Sequence, residues 1–186
     1  MGEKETFIMK ILRILLVVLA VLASAFVFFR FYYTKSFSPS ASEKFEKNDL
    51  VVTVDYCQPS KKDRLIFGDE KDKALVPYGK WWRTGANEAT VIKFSKDVNI
   101  AGKFLKSGTY TLFTIPEKDD WTIIFNQEVG QWGLSYDKKK NVMTVQVPSS
   151  QTDSSAEQFN ISFNENADGG DMILHWDTTQ VVVPIK

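Results

Sequence analysis

The chain reads as all-β: an antiparallel β-sandwich of jelly-roll-like type, preceded by one N-terminal transmembrane helix. Three observations predict this. A twenty-residue apolar run lies near the N-terminus. Beyond residue 49, short alternating apolar runs are punctuated by Gly, Pro, Asp and Asn, and almost nothing there repeats at the helical period. A closed barrel is the alternative all-β arrangement.

From Ile14 to Tyr33 only Ser24 and Arg30 are clearly polar. At about 1.5 Å rise per residue this helix is roughly 30 Å long, the thickness of a bilayer hydrocarbon core. Arg30 sits where its side chain can snorkel to the headgroups, and Tyr32 and Tyr33 where interfacial aromatics belong. Lys10 and Arg13 flank the other end, so residues 1–13 are expected in the cytoplasm, 14–33 in the membrane and the remainder outside the cell membrane, in the periplasm. The competing reading is a signal peptide cleaved after Ala25, because Ala23-Ser24-Ala25 has the small-x-small form of a cleavage site. Cleavage there would leave Phe26-Val27-Phe28-Phe29 as an exposed apolar start, which favours a retained anchor.

Residues 34–48, rich in Ser and charge, read as a linker, and 49–186 as the extracytoplasmic domain. Within it Leu50 to Tyr56 alternates apolar and polar faces, Arg64 to Phe67 is a short run, and Thr90 to Phe94 and Val98 to Ile100 precede a turn at Ala101-Gly102-Lys103. Thr109 to Ile115 ends at Pro116, which cannot donate to a ladder, and the turn at Asp119-Asp120 leads into Trp121 to Asn126 as a hairpin. Val142 to Val147, Phe159 to Phe163, Met172 to Trp176 and Val181 to Ile185 complete the strands, with a turn at Asp168 to Asp171.

The first 35 residues hold five of the 23 basic and two of the 23 acidic residues, leaving 18 against 21. The exported part is mildly acidic, which argues against nucleic acid as a partner. Cys57 is the only cysteine and His175 the only histidine, so an intramolecular disulfide is excluded and no familiar zinc spacing occurs. Phosphate-binding glycine loops and a nucleophile elbow are absent too, and neither a metal nor another cofactor is expected. Cys57 is read as a small hydrophobe and His175 as a strand residue with a hydrogen bond.

The most unusual stretch runs from Tyr78 to Thr90, YGKWWRTGANEAT. Adjacent tryptophans on an extended backbone point to opposite faces, so one can enter a core while the other stays near water. Lys80, Trp82, Arg83, Asn87 and Glu88, with Trp132 and Tyr136 from a later loop, are the candidate ligand-binding residues. A sugar's C–H faces stack on aromatic rings while Arg, Asn and Glu take its hydroxyls, which makes a glycan the sharpest ligand hypothesis. The architectural alternative pairs Arg83 with Glu88 or with the backbone across the turn, and takes Trp121 and Trp176 as core.

That stretch, continued by VIKFSKDVNIAGKFLKSGTYTLFTIP, WTIIFNQ, the Trp132-Gly133 pair and Tyr136, resembles the bacterial domain-of-unknown-function family 2911, common in Bacteroidota and often exported. The resemblance runs from about Val51 to the C-terminus and implies an envelope protein with a β-rich domain. It carries no activity, substrate or catalytic residues. The anchor is a departure from members that look like secreted chains.

Two further function classes stand beside ligand binding. A structural or protein-interaction module of the envelope would show an exposed apolar patch or an open edge strand. A hydrolase would need Glu88 and a second carboxylate among Asp55, Asp97, Asp120, Asp137 and Asp177, and the sequence does not choose one. No catalytic residue is assigned, and enzymatic activity is the less favoured reading.

Overall fold

The computed structural model describes the backbone of residues 2–186 and the side chains from residue 7 onward. Of the expected cytoplasmic segment 1–13, Met1 and the side chains of residues 2–6 lie outside the described residues. The chain divides into two compact units, Met1–Phe37 and Ser38–Lys186.

In the first unit helix α1, Gly2–Phe28, runs into a π-helical stretch, Phe29–Tyr33, and a last turn α2, Thr34–Phe37. The helical segment Phe7–Phe37 is 31 residues long and contains an 18-residue window with a mean hydropathy of 2.8. Rings four residues apart pair along it, Phe28 with Tyr32 and Phe29 with Tyr33. The linker expected from residue 34 starts later, because nothing breaks the helix before Pro39 and the Thr34 and Ser36 hydroxyls bond back to the Arg30 and Tyr33 carbonyls. Length and composition suffice to cross a bilayer, a property shared by membrane anchors and signal sequences.

The second unit is built on strands β1 (Ser40–Lys47), β2 (Leu50–Cys57), β3 (Phe67–Gly68), β4 (Val76–Pro77), β5 (Val91–Phe94), β6 (Val98–Ile100), β7 (Lys103–Leu105), β8 (Gly108–Pro116), β9 (Asp120–Asn126), β10 (Asn141–Glu165) and β11 (Gly170–Ile185). Nine of them form one open antiparallel sheet in the order β1-β2-β5-β8-β9-β10-β11-β6-β7, and β3 pairs in parallel with β4. The expected all-β antiparallel class is present.

Two sequence expectations need correction. Residues 40–47, read as linker, are edge strand β1, paired along its length with β2. Its one large apolar residue is Phe45, too little for an alternation to show, and its Glu and Lys side chains suit an exposed edge. The runs expected as separate strands at 142–147 and 159–163 are two parts of β10, and those at 172–176 and 181–185 are parts of β11. Residues 141–148 of β10 pair with β9, and 149–165 with β11, across register shifts between Gln151, Ala156 and Asn160. The polar stretch between the apolar runs of β10 is solvent-facing on both sides, so its ladder is invisible to apolar patterning.

The two halves of the sheet share one core. Phe45 of β1 stacks on Phe163 of β10 with centroids 5.6 Å apart. The Tyr56 hydroxyl on β2 accepts from the Ile161 N–H at 3.0 Å and donates to its carbonyl at 3.4 Å. Burial pushes the Tyr56 phenol above its usual range. Five rings from five segments, Phe67, Trp82, Trp121, Phe159 and Trp176, close the centre, with Trp82 stacked on Trp176 at 5.8 Å. Trp121 and Trp176 are both core. The opposite face of β8 and β9 carries a smaller cluster of Ala89, Phe113 and Ile124, against which Ile115 and Tyr136 pack. Loops 79–90 and 127–140 supply its Ala89 and Tyr136.

Candidate functional site

The Tyr78–Thr90 stretch is fastened to β8 at two points. Trp82 exchanges backbone hydrogen bonds with Thr114, at 2.7 and 2.9 Å, and Leu112 N–H donates to the Thr90 carbonyl at 2.8 Å. Residues 83–89 loop out between these points, and Thr90 N–H closes the loop on the Arg83 carbonyl at 3.2 Å. Inside it Thr84 and Asn87 take left-handed backbone angles, φ 53° and 58°. For a β-branched residue such as Thr84 this is strained, and surrounding bonds hold it. The Thr90 hydroxyl donates to the Thr84 carbonyl at 2.6 Å, and the Thr84 hydroxyl meets the Thr114 hydroxyl at 3.2 Å. Gly85 lies so close to β2 that a Cβ there would sit 2.9 Å from the Cys57 carbonyl oxygen.

The second loop is tied to the first through Asn87 and its neighbours. Gly133 N–H donates to the Asn87 carbonyl at 3.1 Å, Ala89 N–H to the Gln131 carbonyl at 3.3 Å, and Glu88 forms a backbone bridge with Trp132. The loop's ends are gathered by buried Asn126, whose amide donates to the Asp137 carbonyl and to Asn141 Oδ1, both at 2.9 Å, while its oxygen accepts from Glu128 N–H at 2.9 Å. Asn141 in turn donates to the Tyr136 hydroxyl at 2.7 Å.

Between the loops lies a cleft of about 260 Å3. Its walls are Leu75, Pro77, Trp81 and Leu134, and Arg83 is the only charged side chain among the residues lining it. The Arg83 stem crosses Gly133 where a Cβ on residue 133 would lie 2.8 Å from Arg83 Cβ and 3.0 Å from Nε. Arg83 Nη1 donates to the Asn87 carbonyl at 3.2 Å, the carbonyl that also holds Gly133. Burial alone pushes the pKa of the Arg83 guanidinium down from its usual value. Among the described residues no carboxylate pairs with Arg83.

The adjacent tryptophans do face opposite ways, as an extended backbone requires. Trp82, expected at the ligand surface, is 8% exposed: its ring belongs to the core and its Nε1 donates to the Gly85 carbonyl at 2.9 Å. It borders the cleft only as a core residue. The exposed member is Trp81, at 37%, braced by Phe113 and Tyr136 with ring centroids 5.7 Å away in each case. On an extended backbone residues i and i+2 share a face, so Trp81 goes with Arg83 and Trp82 with Thr84.

The other candidates are distributed around this centre. Tyr136 supports Trp81 and packs on Phe113 at 4.9 Å. Asn87 contributes its backbone carbonyl to Arg83, and its side-chain amide donates to the Ser38 carbonyl at 3.4 Å. Glu88 accepts a long bond from the buried Cys57 thiol, 3.6 Å, and the Arg83–Glu88 pair does not form. Trp132 is partly buried in the bridge to Glu88. Lys80 is exposed and pairs with Glu70 at 3.4 Å. Sequence reasoning missed Leu75, Pro77 and Leu134 as walls and Gly133 as the bed for Arg83.

Three of the carboxylates considered as partners of Glu88 are engaged elsewhere. Asp177 pairs with Lys61 at 2.6 Å, Asp97 accepts from Ser107 N–H at 2.7 Å, and Asp137 accepts from Lys139 N–H at 2.9 Å. His175 meets the Thr152 hydroxyl at 3.1 Å across β10 and β11. Among the described residues no group of three or more His, Cys, Asp or Glu side chains could hold a metal ion. The arrangement offers an apolar, partly aromatic recess with one fixed cation.

No curated protein and no solved structure is similar enough to the chain to show a relationship. The family model described as Protein of unknown function (DUF2911) matches residues 38–185, most of the chain and all but the end of its second unit, and the chain belongs to that family.

Proposed function

We propose that the protein is a bacterial envelope binding module, held in the cell membrane by its single N-terminal helix, with a periplasmic β-sandwich domain that takes a small ligand such as a glycan in the Trp81–Arg83 cleft. The observation that carries this reading is the pairing of a partly exposed indole with a guanidinium that no carboxylate among the described residues neutralises, across a recess of ligand size. Ligand sites are mostly apolar recesses with a few fixed polar groups, and an aromatic wall suits the C–H face of a sugar ring. A sandwich is supported by the core shared between the two halves of the sheet, and the anchor by a 31-residue helical segment whose most apolar 18-residue window has no buried side chain.

The test is a screen of glycans and cell-wall fragments against the full chain in detergent, repeated with Arg83→Ala and Trp81→Ala. Binding that both substitutions weaken supports the cleft; binding that neither changes removes the ligand from it. Anchoring has its own check: the intact chain should resist extraction by carbonate and retain its N-terminal mass. The apolar rim favours one second reading, a protein-interaction surface, since Leu75 and Leu134 are 41% and 72% exposed. In that case a protein partner would protect the rim while no glycan binds.

A further inference from the structure

We infer that the ligand of the cleft presents a carboxylate to Arg83 from a C–H-rich ring that lies against Trp81, so that the site selects acidic over neutral saccharides. The inference rests on the cleft being the ligand site and adds to it the chemistry of the recognised group. An arginine has five N–H donors. One of them is used, on the Asn87 carbonyl, and among the described residues the rest meet no protein acceptor within hydrogen-bonding distance. The group is nonetheless not a free surface side chain.

Its stem lies on Gly133, and its terminal nitrogen is held by a carbonyl that a second backbone bond also fixes. Burial makes the cation costly, and no other lining side chain offers a charge to offset it. A cation positioned this way is complementary to an incoming anion, and the planar fork matches a carboxylate bidentately. The remaining walls, Leu75, Pro77, Trp81 and Leu134, have no side-chain acceptor or acid to bond a run of sugar hydroxyls. A neutral glycan would therefore leave the guanidinium unpaired and its own hydroxyls poorly served. A sugar acid satisfies Arg83 and lays its ring on the indole.

The experiment uses N-acetylmuramic acid and N-acetylglucosamine, which differ by a lactyl carboxylate, with lactate alone as the third probe, titrated into the full chain in detergent. The acid should bind at least about tenfold more tightly than the neutral sugar, the size expected for a charge-assisted bond. Arg83→Gln should abolish the preference, Arg83→Lys should retain part of it, and Trp81→Ala should weaken the binding of the acid; circular dichroism confirms that each variant is folded. Equal binding of the two sugars, weakened by Trp81→Ala, overturns the carboxylate inference and leaves the cleft standing. A preference that survives Arg83→Gln, or lactate binding as tightly as the whole acid, overturns it as well. Failure of all three probes to bind a folded chain overturns the inference, while a hit from the wider glycan screen at the same cleft would keep the broader reading.

Discussion

Trp81 and Trp82 are neighbours in the chain, yet one helps to close the centre of the domain and the other stands at a rim. Trp82 touches Phe67, Trp121, Phe159 and Trp176, whereas Trp81 leans on Phe113 and Tyr136 from the opposite face of β8. The difference teaches that much of what makes the Tyr78–Thr90 stretch unusual is architectural. Thr84, Gly85 and Thr90 seat it against β2 and β8, and what remains for recognition is the other phase of the same extended segment, Trp81 and Arg83.

The largest expected effect contrasts the two indoles directly. Trp82→Ala should cost about 3–5 kcal/mol of stability, the range for removing a buried aromatic, while Trp81→Ala should cost about 1 kcal/mol or less. Denaturant unfolding of the full chain in detergent, followed by far-ultraviolet circular dichroism, measures both. Comparable losses for the two variants would break the comparison, because they would make Trp81 a core residue in energetic terms.

Two glycines sharpen the comparison at the next level. Gly85→Ala places a Cβ 2.9 Å from a backbone oxygen that cannot swing away, and should destabilise by roughly 1–3 kcal/mol. Gly133→Ala meets Arg83 instead, its Cβ 2.8 Å from Arg83 Cβ, which the backbone fixes, and against the stem beyond it, which can swing away. It should destabilise by roughly 1–2 kcal/mol, because the two loops must part slightly, and it should also reduce the affinity for whatever ligand the cleft takes, which Gly85→Ala should leave unchanged. Thr84→Val belongs with Gly85: it strands the buried Thr114 hydroxyl and should cost about 1–2 kcal/mol without touching the cleft.

How much of this was legible from sequence depends on how each feature is encoded. The hairpin of β8 and β9 and the turn at Ala101-Gly102 are written in local chemistry, Pro116 ending a ladder and Gly102 taking φ 87°, so they could be read directly. Strand β1 pairs with β2 across the tight turn at Asn48-Asp49, and the middle of β10 pairs with a segment of β11 further along the chain; in both, the ladder is carried by the backbone and the polar side chains leave no apolar alternation to read. The site was half legible. Arg83 announced itself, and strand alternation alone would have coupled it to Trp81 rather than Trp82. Gly133 and Leu134 join them only because Asn87 and Ala89 bond a loop some forty residues later, a register that no local pattern specifies.

The smallest expected effect separates scaffold from cleft by pH. Burial raises the Asp177 carboxyl, but hydrogen bonds from Lys61 and Ser155, the Lys61 charge and the Thr178 backbone outweigh it and hold it below the usual carboxylate range. A carboxyl held low in the folded state adds stability above its unfolded value, and that contribution is lost as pH falls through the folded one. Asp177→Asn should therefore lower stability at neutral pH by about 1 kcal/mol, given the partial exposure of the pair, and its curve should converge on the parent as pH falls through the depressed value of the folded carboxyl. Arg83 keeps its charge throughout that range. Arg83→Gln should accordingly leave the acid limb of the unfolding curve unchanged, and a change there would mean that the cleft cation supports the scaffold and that the two faces of the motif are not separable.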